Sequence, residues 1–150
     1  KVLEFNARFG DPETQVILPG LKTDLIEILC ATQEENLNQI KVEWTNQTSV
    51  CVVIASGGYP GKYEKGKTIV GLEDLLNKQD TMVFHAGTEK KNDKIVTSGG
   101  RVLGVTSWAN TLTGAIEKAY EGVNKIHFEK GYYRKDIGKK GLNFSPVKNI

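Results

Sequence analysis

The spacing of the β-rich segments within residues 81–107 limits this chain's topology most. Residues 81–88, 94–97 and 101–107 read as strands, separated only by Lys91-Asn92-Asp93 and by Gly99-Gly100. Gaps this short connect antiparallel hairpins and leave no room for a crossover helix. A fourth segment, residues 49–55 (Ser-Val-Cys-Val-Val-Ile-Ala), is apolar without alternation, as in a strand buried on both faces, and Gly57-Gly58-Tyr59-Pro60-Gly61 closes it with a turn. Two amphipathic helices complete the pattern. Leu21, Leu25, Ile28 and Leu29 recur at helical spacing over about 12 residues, with Thr23 as the expected N-cap and Asp24 and Glu27 in the first turn. Leu112, Ile116, Ala119, Tyr120 and Val123 mark one face of the second, capped by Asn110 or Thr111. The expected class is α+β: an antiparallel sheet with two main helices.

The densest polar constellation precedes all of this. Residues 2–8 alternate, so that Val2, Glu4, Asn6 and Arg8 point one way and Leu3, Phe5 and Ala7 the other, and the Gly10-Asp11-Pro12-Glu13 turn ends the predicted strand. Residues two apart on a strand lie about 7 Å apart, which puts a carboxylate, an amide oxygen and a guanidinium in a row. Hard oxygen donors of this kind suit Mg²⁺, which completes its octahedron with water and phosphate oxygens, and a planar guanidinium beside them can grip a phosphate or carboxylate. An edge strand with a solvated polar face gives the same spacing.

Composition bounds the remaining possibilities. The 150 residues are 39% hydrophobic and 25% charged, with 20 basic and 18 acidic side chains. A chain of this size buries roughly two thirds of its unfolded surface and needs no disulfide or structural metal. Its two cysteines, Cys30 and Cys51, lie in apolar runs and are expected as buried reduced thiols, which fits a cytoplasmic compartment. No apolar run is long enough to span a bilayer and none resembles a signal peptide, so no membrane partner is expected. The chain opens on a strand-like run without an initiator Met, which reads as a cut chain. Residues 1–45 carry a net −4, residues 46–117 +1 and residues 118–150 +5. The basic third scatters its lysines among acids and helix positions, the pattern of a solvated face rather than a nucleic-acid footprint.

The other candidate groups are weaker. Ser56-Gly57-Gly58-Tyr59-Pro60-Gly61 lacks the Gly-Lys-Ser/Thr of a phosphate loop and reads as a tight turn. His85 and His127 have no third partner at useful spacing for a triad or a zinc site. Trp44, Trp108, Tyr120 and Phe128 are expected to be packing residues rather than a base-stacking platform. On residues alone, a stand-alone α+β module binding an anionic ligand or nucleic acid through the basic third stays open as an alternative.

Arg8-Phe9-Gly10-Asp11-Pro12-Glu13-Thr14-Gln15 resembles the signature of the phosphoribosylamine–glycine ligases, ATP-grasp enzymes of purine biosynthesis. The resemblance continues in order through residues 50–61, Val83-Phe84-His85-Ala86-Gly87-Thr88, residues 99–106 and Tyr133-Arg134-Lys135-Asp136-Ile137-Gly138, while residues 139–150 resemble nothing useful. It implies that residues 1–20 are the end of an ATP-grasp domain, with its last strand and signature loop, and residues 21–150 the ligase C-terminal domain. It further implies the reaction of ATP, glycine and 5-phosphoribosylamine to glycinamide ribonucleotide, ADP and phosphate through a glycyl phosphate. Glu4 and Asn6 match the family's metal-binding glutamate and asparagine, for Mg²⁺ or Mn²⁺. Arg8 matches its signature arginine, a catalytic candidate that would hold a substrate phosphate or carboxylate. Asp11 and Glu13 would orient the glycine ammonium or the ribosyl amine, or only cap the turn. The family's ATP-binding lysines, adenine hinge and N-terminal substrate domain have no counterpart in this sequence, so the chain is expected to be inactive alone and to need those upstream domains as partners.

Overall fold

The computed structural model describes Val2 and residues 4–143. A four-stranded antiparallel sheet in the order β2-β5-β1-β6 forms the centre, built from β1 (Thr48–Ala55), β2 (Thr81–His85), β5 (Arg101–Ala109) and β6 (Tyr132–Tyr133). β3 (Thr88–Lys91) and β4 (Lys94–Thr97) form a separate two-stranded hairpin whose connection carries Asn92 and Asp93 at positive φ. Helix α1 (Glu13–Ile17) and a 3-10 turn precede α2 (Leu25–Gln33); α3 (Leu112–Val123) follows β5, and a short α4 (Lys139–Leu142) ends the described chain.

The core lies between α3 and one face of the sheet. Val52 pairs with Val105, which pairs with Val83, and the alternate residues Val50, Ile54 and Leu103 share that face. Against them α3 presents Ala115, Ala119 and Val123, all buried, with Leu112, Ile116 and Tyr120 packed at the margin, the face its period predicts. Thr111 is the N-cap, accepting a 3.1 Å hydrogen bond from the Gly114 N–H. Cys51 points away from α3 yet is buried, because α1 and its 3-10 turn pack across β1 and β5. The strand at residues 49–55 is thus covered on both faces, as its unbroken apolar run requires.

Several local expectations are corrected. The segment 81–88 is two strands: the chain leaves the sheet at Ala86-Gly87, and β3 turns off to pair with β4. Gly99-Gly100 is not the tip of a hairpin, since β5 pairs with β2 and β1 rather than with β4; length admits the hairpin, but the buried partners of β5 lie elsewhere in the chain. The first helix is nine residues, not twelve, and its cap is Asp24, whose Oδ1 accepts from the Ile26 N–H at 2.7 Å. Thr23 is committed elsewhere, its hydroxyl accepting from the Glu43 N–H at 2.7 Å. Leu25 and Leu29 do not face a core; Ala31 is the buried position of α2. Trp44 is 48% exposed, beside Leu21 in an isolated bridge, so it is not a core residue. Both cysteines are free as expected, but Cys30 is exposed.

Leu3 lies outside the described residues. The described part of the predicted first strand, Val2 and residues 4–8, is not strand. A strand needs a neighbour to exchange backbone hydrogen bonds, and none of the described strands lies alongside it.

Candidate functional site

The N-terminal residues keep the side-chain arrangement of a strand even without strand pairing. The Asn6 amide nitrogen donates to Glu4 Oε1 at 2.9 Å, and Arg8 Nη1 donates to Asn6 Oδ1 at 2.7 Å and to the Phe9 carbonyl at 3.0 Å. Bonds between residues two apart require all three side chains on one side, so the carboxylate–amide–guanidinium row exists, and it is exposed.

The turn after it is tied to the sheet. Gly10 is buried, its carbonyl accepts from both the backbone N–H (3.0 Å) and the hydroxyl (2.7 Å) of Thr14, and the Glu13 carboxylate folds back over it. Arg101, the first residue of β5, reaches Asp11 with both arms of its guanidinium: Nη1 donates to the Asp11 carbonyl at 2.8 Å and Nη2 to its carboxylate at 3.1 Å. The remaining Asp11 oxygen accepts from the Gln15 amide at 2.9 Å. The β1–β5 register shifts between Ile54 and Ala55, so Leu103 pairs with Ile54 but Arg101 with Ala55. Strict alternation would send Arg101 to the core side with Leu103; the bulge releases it toward the loop.

Ser56-Gly57-Gly58-Tyr59 stands beside the same strand end. Ser56 donates from its N–H to the Gly100 carbonyl (2.8 Å) and from its hydroxyl to the Gly99 carbonyl (2.8 Å), and Tyr59 lies over Gly100. Ser56 is buried, and Tyr132 donates its hydroxyl to the Tyr59 carbonyl at 2.5 Å. This segment is a braced turn, as its sequence indicates, and it forms a rigid neighbour to the Asp11–Arg101 contact.

Of the residues singled out from the sequence, Glu4, Asn6 and Arg8 are joined by hydrogen bonds, whereas Asp11, in the loop after them, bonds to Arg101 and Gln15 instead. Sequence reasoning missed Arg101 and Gln15. No local signal marks Arg101, whose partner lies 90 residues away.

Among the described residues no group of three or more His, Cys, Asp or Glu side chains could hold a metal ion. The row offers one carboxylate and one amide oxygen. That set fits a hard divalent cation that takes its other ligands from water and phosphate, and a cation held by both oxygens would displace the Asn6–Glu4 hydrogen bond.

Elsewhere the ionisable groups are structural. Lys67 pairs with Glu64 (2.7 Å) and Glu129 (2.8 Å), which raises its pKa, and hydrogen bonds from Lys67 and Lys130 lower that of Glu64. Arg134 and Asp136 pair at 2.7 Å and shift each other in the same stabilising sense. Three cations of the basic C-terminal third, Lys118, Lys130 and Arg134, are therefore matched by acids. His85 Nδ1 shares a 2.9 Å hydrogen bond with the Thr88 hydroxyl. Burial pushes the Cys51 thiol up, away from a reactive thiolate. No helix among the described residues is long and apolar enough to cross a membrane.

The family model "Phosphoribosylglycinamide synthetase, C domain" matches residues 49–140. The chain is 54% identical over 143 residues to a phosphoribosylamine–glycine ligase of Synechocystis, covering 95% of this chain and 34% of that protein. It is 56% identical over 137 residues to the Caldanaerobacter subterraneus enzyme of the same name, covering 91% and 32%. A bifunctional purine biosynthetic protein of Pichia angusta is 46% identical over 151 residues, covering 100% of this chain and 19% of that protein. The crystal structure of a phosphoribosylamine–glycine ligase from Thermotoga maritima superposes with a TM-score of 0.69 at 38% identity, covering 90% of this chain and 32% of that one. The chain thus spans about a third of the length of the single-function ligases it matches.

Proposed function

Because the chain belongs to the phosphoribosylglycinamide synthetase C-domain family, we propose that it works as part of a phosphoribosylamine–glycine ligase, joining glycine to 5-phosphoribosylamine at the expense of ATP. The observation that carries this reading is the hydrogen-bonded row Glu4–Asn6–Arg8, followed directly by a turn that Arg101 fastens to the C-domain sheet.

In this reading the chain supplies one wall of an ATP-grasp site in a cytoplasmic enzyme. Glu4 and Asn6 hold Mg²⁺ or Mn²⁺ through their side-chain oxygens. The bound cation supplies positive charge against the nucleotide phosphates. Arg8, next in the row, contributes a planar donor pair for a phosphate or for the glycine carboxylate, the group that becomes glycyl phosphate. Asp11 belongs to the site through its position: both carboxylate oxygens are engaged within the chain, so it holds the turn that aims the row. Residues 1–20 would complete the ATP-grasp domain and residues 21–150 form the C-terminal domain. The remaining ATP and substrate contacts come from the part of the ligase that this chain does not span.

The test is Glu4→Gln in a full-length ligase carrying this sequence, assayed by glycine-dependent ADP release. Turnover should fall by orders of magnitude, with a raised requirement for Mg²⁺ and an unchanged melting temperature, since the carboxylate is exposed and supports no core. Wild-type turnover would remove the metal role. The chain by itself should release no ADP.

A further inference from the structure

We propose that Arg8 is a latched stand-in for the divalent cation: its guanidinium holds the Asn6 amide oxygen until that oxygen is given up to a metal, and only then turns to grip a substrate phosphate. This rests on the function proposed above. Asn6 is committed at both ends of its amide. The nitrogen donates to Glu4 Oε1 at 2.9 Å, and the oxygen accepts from Arg8 Nη1 at 2.7 Å, a short charge-assisted bond. A hard cation needs lone pairs on the same two oxygens. The amide oxygen has a second lone pair, but charge opposes sharing it. A guanidinium and a divalent cation on one oxygen would be like charges a few ångström apart, and Glu4 is the single carboxylate of the row.

The latch is confined to one terminal nitrogen. Nη1 places one hydrogen on Asn6 and the other on the Phe9 carbonyl at 3.0 Å, while Nη2 and Nε have no hydrogen-bond partner among the described residues. Breaking the Asn6 bond therefore leaves the side chain tethered at Phe9 with its planar fork free to turn toward an anion. Both side chains are exposed, so water replaces the lost contact at little cost and the exchange is readily driven by a cation. Two consequences follow from the shared oxygen. A metal-free phosphate meets an arginine that is still facing Asn6 and is gripped weakly. Cation and phosphate then bind cooperatively, each raising the affinity of the other by the same factor.

The test uses a full-length ligase carrying this sequence, without nucleotide. Phenylglyoxal closes a ring on both terminal nitrogens of an arginine, so its rate at Arg8, followed by mass spectrometry, reports whether Nη1 is free. Adding Mn²⁺ should speed modification of Arg8 about fivefold. Arg101, with Nη1 and Nη2 both bonded to Asp11, should stay slow throughout and so report that the turn is intact in every variant. Asn6→Ala should give the fast Arg8 rate without Mn²⁺ and remove the effect of adding it. Sulfate, a phosphate-like dianion, should protect Arg8 when Mn²⁺ is present and not when it is absent. An Arg8 rate that ignores Mn²⁺ overturns the proposal, as does slow labelling of Arg8 in Asn6→Ala or protection by sulfate alone. The underlying reading fails separately. Mn²⁺ binding, read by electron paramagnetic resonance, should be weakened at least tenfold by Glu4→Gln. If it is and Arg8 still ignores Mn²⁺, the metal site stands and the latch falls; if Glu4→Gln binds Mn²⁺ as the wild type does, the metal role of the row falls and the latch with it.

Discussion

Removing the Arg101 guanidinium should release the signature turn from the sheet, and the size of the effect follows from its two contacts. The 2.8 Å bond to the Asp11 carbonyl, a charged donor on a neutral acceptor, is worth about 1 kcal/mol. The 3.1 Å contact to the carboxylate joins side chains 43% and 51% exposed, and after solvent screening contributes about 0.5 kcal/mol. Arg101→Ala should therefore cost about 1.5 kcal/mol. With a urea slope near 2 kcal/mol/M, that moves the midpoint down by about 0.75 M, measured by far-ultraviolet circular dichroism. Asp11→Asn removes only the carboxylate arm, so the double-mutant cycle should give a coupling of about 0.5 kcal/mol, reduced in 1 M NaCl. Arg101→Lys should recover the carboxylate arm and not the carbonyl arm, because a single ammonium cannot span both acceptors in the fork geometry. If Arg101→Ala shifts the midpoint by under 0.1 M, or the cycle shows no coupling while each single variant is costly, the turn is held by something else and the bulge at Ile54/Ala55 has no role in aiming Arg101.

The remaining predictions concern the scaffold. Leu103, 1% exposed in the α3-facing layer, should lose about 2–5 kcal/mol on replacement by Ala, read as a lower urea midpoint with unchanged slope. Gly71 and Gly66 both have positive φ, +84° and +80°, but a Cβ on Gly71 would lie 1.9 Å from the Lys125 carbonyl oxygen, whereas one on Gly66 meets nothing within 4 Å. Gly66→Ala should cost about 1 kcal/mol of backbone strain and Gly71→Ala clearly more, in the same denaturation assay; equal costs would show that the loop at residue 71 yields freely. The Lys118 ammonium, 2.5 Å from Asp80, holds the Asp80 carboxyl below the usual carboxylate range. The native form is the harder one to protonate, so this pair stabilises the fold above the unfolded-state pKa of about 3.9 and the contribution fades as pH falls through the lower native value. Asp80→Asn should narrow the stability difference between pH 7 and pH 3, and an unchanged acid limb would show that the pair is not formed.

Elements governed by neighbours in the chain were legible before the structure. The period of α3, its cap narrowed to Asn110 or Thr111, the two-sided burial of residues 49–55 and the turn after them all depend on local pattern, which is why they agree with the structure, where Thr111 is the cap. Pairing was less legible. The gap at Gly99-Gly100 is short enough for a hairpin, but β5 buries more apolar surface between β1 and β2 than it could against β4, a four-residue strand beginning at Lys94. The candidate site divides in the same way. Glu4, Asn6 and Arg8 follow from a period of two, while Arg101 enters only because a bulge and a chain reversal bring it to Asp11.

The sequence by itself determined the α+β class, the faces of α3 and β1, and the polar row at the N-terminus, because each rests on torsional preference and side-chain alternation over a few residues. Only the tertiary structure decided which strands pair, which cation secures the signature turn and which side of α2 is left open. These depend on contacts between residues tens of positions apart. Local pattern sets which way a side chain points, but burial depends on what the rest of the fold brings against it.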